Sequence, residues 1–138
     1  MQNAIIGDMK VIVSDVIIIQ DNKILLVQER KQKAYGLWNF PGGKVEADET
    51  PEKAAYREVK EELNVELVGA SLLKSYPYRI SGVDFDLKTF IGNIKGDITI
   101  KADEIMAYGW FSLEQIYLMK DQLRGIIILE QARDALRS

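Results

Sequence analysis

The chain predicts an α/β (α+β) fold, a mixed β-sheet covered on both sides by helices. Three observations lead there. Apolar, β-branched runs occupy residues 10–20 and 23–28. One capped amphipathic helix then interrupts them, and further strand-like runs follow it. A last helical pattern closes the sequence. Strands, one helix, strands and a terminal helix bury their apolar faces best as a sheet between two helical layers.

The elements follow in order. Residues 10–20 and 23–28 read as two strands joined at Asp21-Asn22, a hairpin signal although the preferred glycine is missing. Residues 35–38 read as a loop and 38–40 as a short strand, ending at the tight turn Pro41-Gly42-Gly43. Thr50 is a good N-cap, and Pro51 suits the first helical position because its missing N–H would be unpaired there anyway. The helix runs over 51–63, with Ala55, Val59 and Leu63 as its buried stripe. Asn64 ends it, since asparagine tolerates the left-handed conformation. Residues 65–74, 84–94, 97–101 and 105–111 read as strands, with a turn at 93–96. A short helix is expected over 113–119 and a final helix over 121–136, where Leu123, Ile126, Ile127 and Ala132 recur at helical spacing.

Composition narrows the chemistry. At 138 residues, 47% hydrophobic and 28% charged, the chain reads as one globular domain, 1–138. A net charge of −3 gives no electrostatic case for bulk nucleic-acid binding. With no Cys there are no disulfides, thiolate metal sites or thiol nucleophile. With no His, acid–base work falls to carboxylates, Lys, Tyr or metal-bound water. No signal peptide is apparent, and the most apolar run, 11–19, is short and broken by Ser14 and Asp15, so neither secretion nor a membrane span is expected. A cytoplasmic protein is the expectation.

The chemistry is concentrated in GKVEADETPEKAAYREVKEELNV, residues 43–65. On the predicted helix Glu58, Glu61 and Glu62 stand at i, i+3 and i+4 and share a face. Carboxylates that close repel one another. Hard divalent cations such as Mg²⁺ or Mn²⁺ convert them into oxygen ligands. An acidic pair on a helix is ordinarily a solvated surface. Six fixed residue types at the observed spacing, each at a frequency of roughly 6%, should match by chance in about one chain of this length in 10⁵.

This segment resembles the Nudix box, G-x5-E-x7-R-E-U-x-E-E-x-G-U with U aliphatic, through Gly43, Glu49, Arg57, Glu58, Val59, Glu61, Glu62 and Val65. Asn64 replaces the last glycine, and Asp48 stands where many members carry a glycine. The flanks resemble the family as well, in Trp38-Asn39-Phe40-Pro41-Gly42-Gly43 and in Trp110-Phe111-Ser112-Leu113-Glu114. The resemblance, MutT-like, covers nearly the whole chain. It implies an α/β/α sandwich with the box helix on one side of the sheet and the C-terminal helix on the other. It also implies hydrolysis of the pyrophosphate bond in a nucleoside diphosphate linked to another group.

Carried over by position, the resemblance gives Glu58 and Glu62 as metal ligands, Glu61 joining directly or through water, and the Gly42 carbonyl as a backbone ligand. Arg57 holds the glutamates in place, while Gly43 and Glu49 are structural. The general base stays open between Glu58 or Glu61 in the box and Asp103 or Glu104 in a later loop. For substrate, Arg30, Trp38, Tyr78 and Glu104 are the candidate contacts. Lys31 and Lys33 could also meet phosphates, and Tyr35, Tyr76 and Phe85 could stack on a base. A nucleoside triphosphate, plain or modified, is the first expectation, because the chain is small and shows no added substrate domain. ADP-ribose or a nucleotide sugar is second. A nucleotide-sensing module without activity is the reading from another class. A homodimer is plausible by family habit.

Overall fold

The computed structural model describes residues 10–138. Its elements are β1 (Val11–Gln20), β2 (Lys23–Glu29), β3 (Trp38–Asn39), β4 (Gly42–Lys44), α1 (Pro51–Leu63), β5 (Glu66–Ile80), β6 (Val83–Lys95), β7 (Ile105–Phe111), α2 (Leu113–Leu118) and α3 (Ile127–Arg137). The sheet has seven strands, with a main path β3-β2-β1-β6-β5; β4 pairs with β1 and β7 with β2. It is mixed, because β1 and β6 run parallel while the other pairs are antiparallel.

Alternation along the central strands produces two cores. Val16 and Ile18 of β1 and Leu25 and Val27 of β2 meet Ala55, Val59 and Leu63 of α1. Ile17, Ile24 and Leu26 point the other way, against Ile116 of α2 and Ile128, Ala132 and Ala135 of α3. A period of two thus feeds one helical layer on each face, which is the expected α/β/α sandwich. None of the helices among the described residues is long and apolar enough to cross a membrane.

The box helix is formed as its sequence predicts. The Thr50 hydroxyl accepts from the Lys53 amide at 3.1 Å, Pro51 is the first helical residue, and Asn64 is left-handed at φ 54°. Ser14 donates from β1 to the Pro51 carbonyl at 2.6 Å and ties the helix start to the sheet. Thr50→Ala is expected to cost about 1 kcal/mol and lower the thermal midpoint by roughly 3–5 °C. A melting curve unchanged from that of the parent would show that the cap carries no weight.

Four expectations are corrected. Residues 42–44 form a short strand on β1, not merely a turn. Residues 97–101 are not a strand. Thr99 and Lys101 donate instead to the carbonyls of Leu63 and Glu62 at 2.9 Å each, because the last turn of α1 leaves carbonyls free, while Ile98 and Ile100 pack inward. The β5–β6 hairpin is longer than expected and turns at Ser81-Gly82, both at positive φ. Pro77 is tolerated inside β5 because that strand is the sheet edge. Finally, α3 begins at Ile127 and not at 121. Leu123 is extended and bridges Trp38, and Arg124 donates to the Trp38 carbonyl at 2.8 Å, so the chain is committed to the sheet edge before the helix starts.

Candidate active site

Strand β1 organises the site. Its first half pairs with β4, through Asp15 opposite Gly42 and Ser14 opposite Gly43, while its end pairs with β2 at Ile19 and Gln20. Between those two pairings the sheet opens, and α1 lies across one face of the opening.

Arg57 is the hub of the exposed rim. Its Nε and one terminal nitrogen donate to the two oxygens of Glu49, at 2.9 and 2.5 Å, a bidentate charge-assisted pair. The guanidinium also donates to the Lys44 carbonyl at 3.2 Å and lies 3.4 Å from Glu58 and 3.5 Å from Glu61. The hydrogen bond from Arg57, first, and that from the Glu46 amide hold the Glu49 carboxyl down at about 2. Gly43 carries no Cβ where one would overlap the Glu58 carboxylate.

Behind this rim two box acids are buried. Glu62 is 2% exposed and Glu58 8%. Glu62 Oε1 accepts from the Gly42 amide at 3.3 Å. Burial pushes the Glu62 carboxyl well above the usual carboxylate range, and the neighbouring charges of Glu58 and Glu29 push it further. Burial also raises Glu58, against the lowering pull of Arg57. Glu61 stands apart, half in solvent beside Arg57. Among the described residues no three acids converge into a preformed metal cage, so the closed cluster expected from helical spacing is not present in this arrangement.

The donor set nevertheless fits a hard divalent cation. Glu62 is buried with no ion-pair partner among the described residues, and Glu58 has only Arg57 at 3.4 Å. Such carboxylates are costly to bury, and an oxygen-seeking ion supplies the missing charge. Glu29 adds to that case. It is 8% exposed, its Oε1 has no hydrogen-bond partner, and burial raises its carboxyl. Sequence reading passed over Glu29, because an acid at the end of an apolar strand carries no local signal.

The other predicted residues are dispersed. Glu104 sits between Lys101 at 2.6 Å and Lys31 at 3.8 Å. Arg30 spends its Nε on the Ala102 carbonyl at 2.7 Å, which pins the 102–104 loop to the end of β2. Asp103 is exposed in that loop. Trp38 packs edge-on against Phe111, with ring centroids 5.2 Å apart, and belongs with the α3-side core. Tyr78 lines a cleft on the α3 side of the sheet, of about 470 Å³ counting its open mouth, together with Asp15, Asn39, Phe85, Arg124 and Gln131. Of these only Tyr78 and Phe85 were candidates from sequence. Asp15 had a signal, a charge inside an apolar strand. Gln131 had none.

Comparison with known proteins adds the following. The NUDIX domain model matches residues 9–129. A Caenorhabditis elegans protein named "Putative nudix hydrolase 1" is 37% identical over 107 residues, which are 76% of this chain and 28% of that protein. The chain therefore spans under a third of that relative. The "CTP pyrophosphohydrolase" of Escherichia coli K12 is 39% identical over 101 residues, 72% of this chain and 73% of that one. The solution structure of the E. coli ORF135 protein superposes with a TM-score of 0.76 at 34% identity, covering 96% of this chain and 94% of that chain.

Proposed function

The chain belongs to the NUDIX domain family, enzymes acting on phosphorus-containing anhydrides, and from that membership we propose that it is a divalent-metal-dependent pyrophosphohydrolase of nucleoside triphosphates. The products are a nucleoside monophosphate and pyrophosphate. The observation that carries the reading is the buried pair Glu58 and Glu62 beside Gly42, braced by Arg57 on Glu49. The triphosphate is favoured over ADP-ribose by the likeness to the E. coli protein whose name gives CTP as substrate and most of whose length is matched.

Glu58 and Glu62, the Gly42 carbonyl, and Glu61 directly or through water would hold Mg²⁺ or Mn²⁺. When bound, such an ion neutralises phosphate charge and makes a water more acidic. The chain's own residues do the rest. Arg57, clamped on Glu49, fixes the helix face so that Glu58 and Glu61 keep their places. The Gly42 amide holds Glu62 through Oε1. Glu61 is the exposed box carboxylate and can accept the proton of the attacking water. Oxygen of that water bonds to phosphorus, the bridging P–O bond breaks, and the pyrophosphate oxygen takes the electron pair. Glu104, held by two lysines, is the alternative proton acceptor from the loop.

The test is a hydrolysis screen with Mg²⁺ or Mn²⁺ across nucleoside triphosphates, nucleotide sugars, dinucleoside polyphosphates and ADP-ribose. Metal-dependent release of pyrophosphate from a triphosphate is expected, with Glu61→Gln and Glu62→Gln strongly impaired. No turnover on any substrate, or full activity of both variants, would overturn the proposal.

A further inference from the structure

Glu104 is carried by a tight turn over residues 102–104, and two elements support that turn. On one side the Lys101 amide donates to the Glu62 carbonyl at 2.9 Å, so the turn hangs from the end of α1. On the other side a single residue, Arg30, grips it twice. The Arg30 backbone amide donates to the Glu104 carbonyl at 2.8 Å, and its side-chain Nε donates to the Ala102 carbonyl at 2.7 Å. Inside the turn the amides of Glu104 and Ile105 both donate to the Lys101 carbonyl, at 2.9 and 2.8 Å. Of the carbonyls from 101 to 104, only that of Asp103 lacks a partner among the described residues.

This double grip fixes where Glu104 sits. Its carboxylate lies between Lys101 Nζ at 2.6 Å and Lys31 Nζ at 3.8 Å, and Lys31 is the residue after Arg30. Ile105, the residue after Glu104, is the cross-strand partner of Glu29. The turn thus joins the end of α1, which carries Glu58, Glu61 and Glu62, to the end of β2, and holds an acid between them. The Arg30 bond is made from within the side chain rather than from its tip. It orients the whole guanidinium and takes one of its two bidentate edges away from any phosphate. Lysine carries no donor at that place in its chain.

Resting on the hydrolase reading, and on Glu104 as its proton acceptor from the loop, we propose that Arg30 is a positioning residue. It acts on the reaction through Glu104, by holding the 102–104 turn at the end of β2, and not by binding the phosphates of the substrate. Without the Arg30 side chain the turn keeps its bond to α1 and pivots there. Glu104 then leaves its place while the box glutamates keep theirs. Turnover falls and substrate binding is retained, the pattern of an interaction that matters only in the transition state.

The experiment is a double-mutant cycle at pH 7.5 with Mg²⁺, on whichever of ATP, GTP, CTP and UTP the parent cleaves fastest. Arg30→Met removes the donors and keeps an apolar stem. It is expected to lower kcat about tenfold and to change KM by less than about twofold. Glu104→Gln is expected to lower kcat by at least as much. The double variant should be no slower than Glu104→Gln alone, because the two residues act in one chain. A raised KM with kcat kept, full activity in either single variant, or a double variant slowed by the product of the two single effects overturns the inference while leaving the hydrolase reading intact. A second readout needs no substrate. Hydrogen exchange of the 101–105 segment should quicken about tenfold in Arg30→Met, with that of residues 51–61 unchanged. Unchanged exchange in 101–105, or faster exchange throughout the protein, overturns the inference whatever the kinetics. Quickened exchange in 101–105 alone, with no turnover of any of the four triphosphates by the parent, leaves the hold of Arg30 on Glu104 standing and overturns the triphosphate hydrolase reading.

Discussion

Glu62→Gln is expected to lower kcat on the order of 100-fold or more while making the metal-free protein more stable. The two effects have one cause. Glu62 is buried, and burial and then Glu58 and Glu29 raise its carboxyl well above the usual range. An acid raised in this way keeps its proton longer in the folded state than in the unfolded chain. Stability is then fully present below the ordinary value and is lost as pH rises through the raised one. Glu29, Glu58 and Asp15 are raised by burial as well. For Asp15 the window runs from 3.8 to about 6, and it contributes a loss on the order of 3 kcal/mol by neutral pH. Glu49, held down at about 2 by Arg57, works in the other direction, and its stabilisation disappears as pH falls below the ordinary carboxylate range. The metal-free parent should therefore unfold at the highest temperature near pH 5 and lower at pH 8. Mg²⁺ should recover the loss at pH 8, and Glu62→Gln should flatten the decline and weaken the response to metal. A parent whose midpoint rises from pH 5 to pH 8 without metal would contradict this account.

The two glycines before the box helix should separate folding from activity. Gly42 has φ 151°, and a Cβ there would overlap the Ser14 carbonyl oxygen and press on Asp15 Cα, all of it backbone. Gly42→Ala is expected to cost on the order of 3 kcal/mol or more, read as a lower urea midpoint. At Gly43 the obstacle is the Glu58 carboxyl, the far end of a side chain that can rotate away. Gly43→Ala should stay within about 1 kcal/mol of the parent in stability. It should lose about 10- to 100-fold in activity, because displacing Glu58 spoils the site. Equal denaturation midpoints for the two variants, or full activity in Gly43→Ala, would refute the distinction.

Much of this architecture was legible in sequence because its causes are local. Thr50, Pro51 and Asn64 mark the ends of α1 within a turn of each end, and alternating apolar residues give the faces of β1 and β2. Where distant partners decide the outcome, local reading failed. Residues 97–101 have a strand-like pattern, but their amides are claimed by the end of α1. The 121–126 stretch has helical spacing, yet Leu123 and Arg124 are held at Trp38. The cleft on the α3 side of the sheet was least legible of all. Asp15 and Gln131 lie 116 positions apart; alone, Asp15 shows only as a charge inside an apolar strand, and Gln131 carries no signal.

The tether at 97–101 bears on how the site can move. Two amides bind this stretch to the final turn of α1, one of them at the carbonyl of Glu62 itself, and the next residues carry Asp103 and Glu104. A segment anchored in this way cannot swing as an independent flap. Any displacement that closes it over a substrate must drag the end of the helix along, or break both bonds first. Approach of the loop and re-aiming of Glu62 are then a single mechanical event. Insertions that lengthen this connection would uncouple them, which makes its length a constraint on how the sequence can drift.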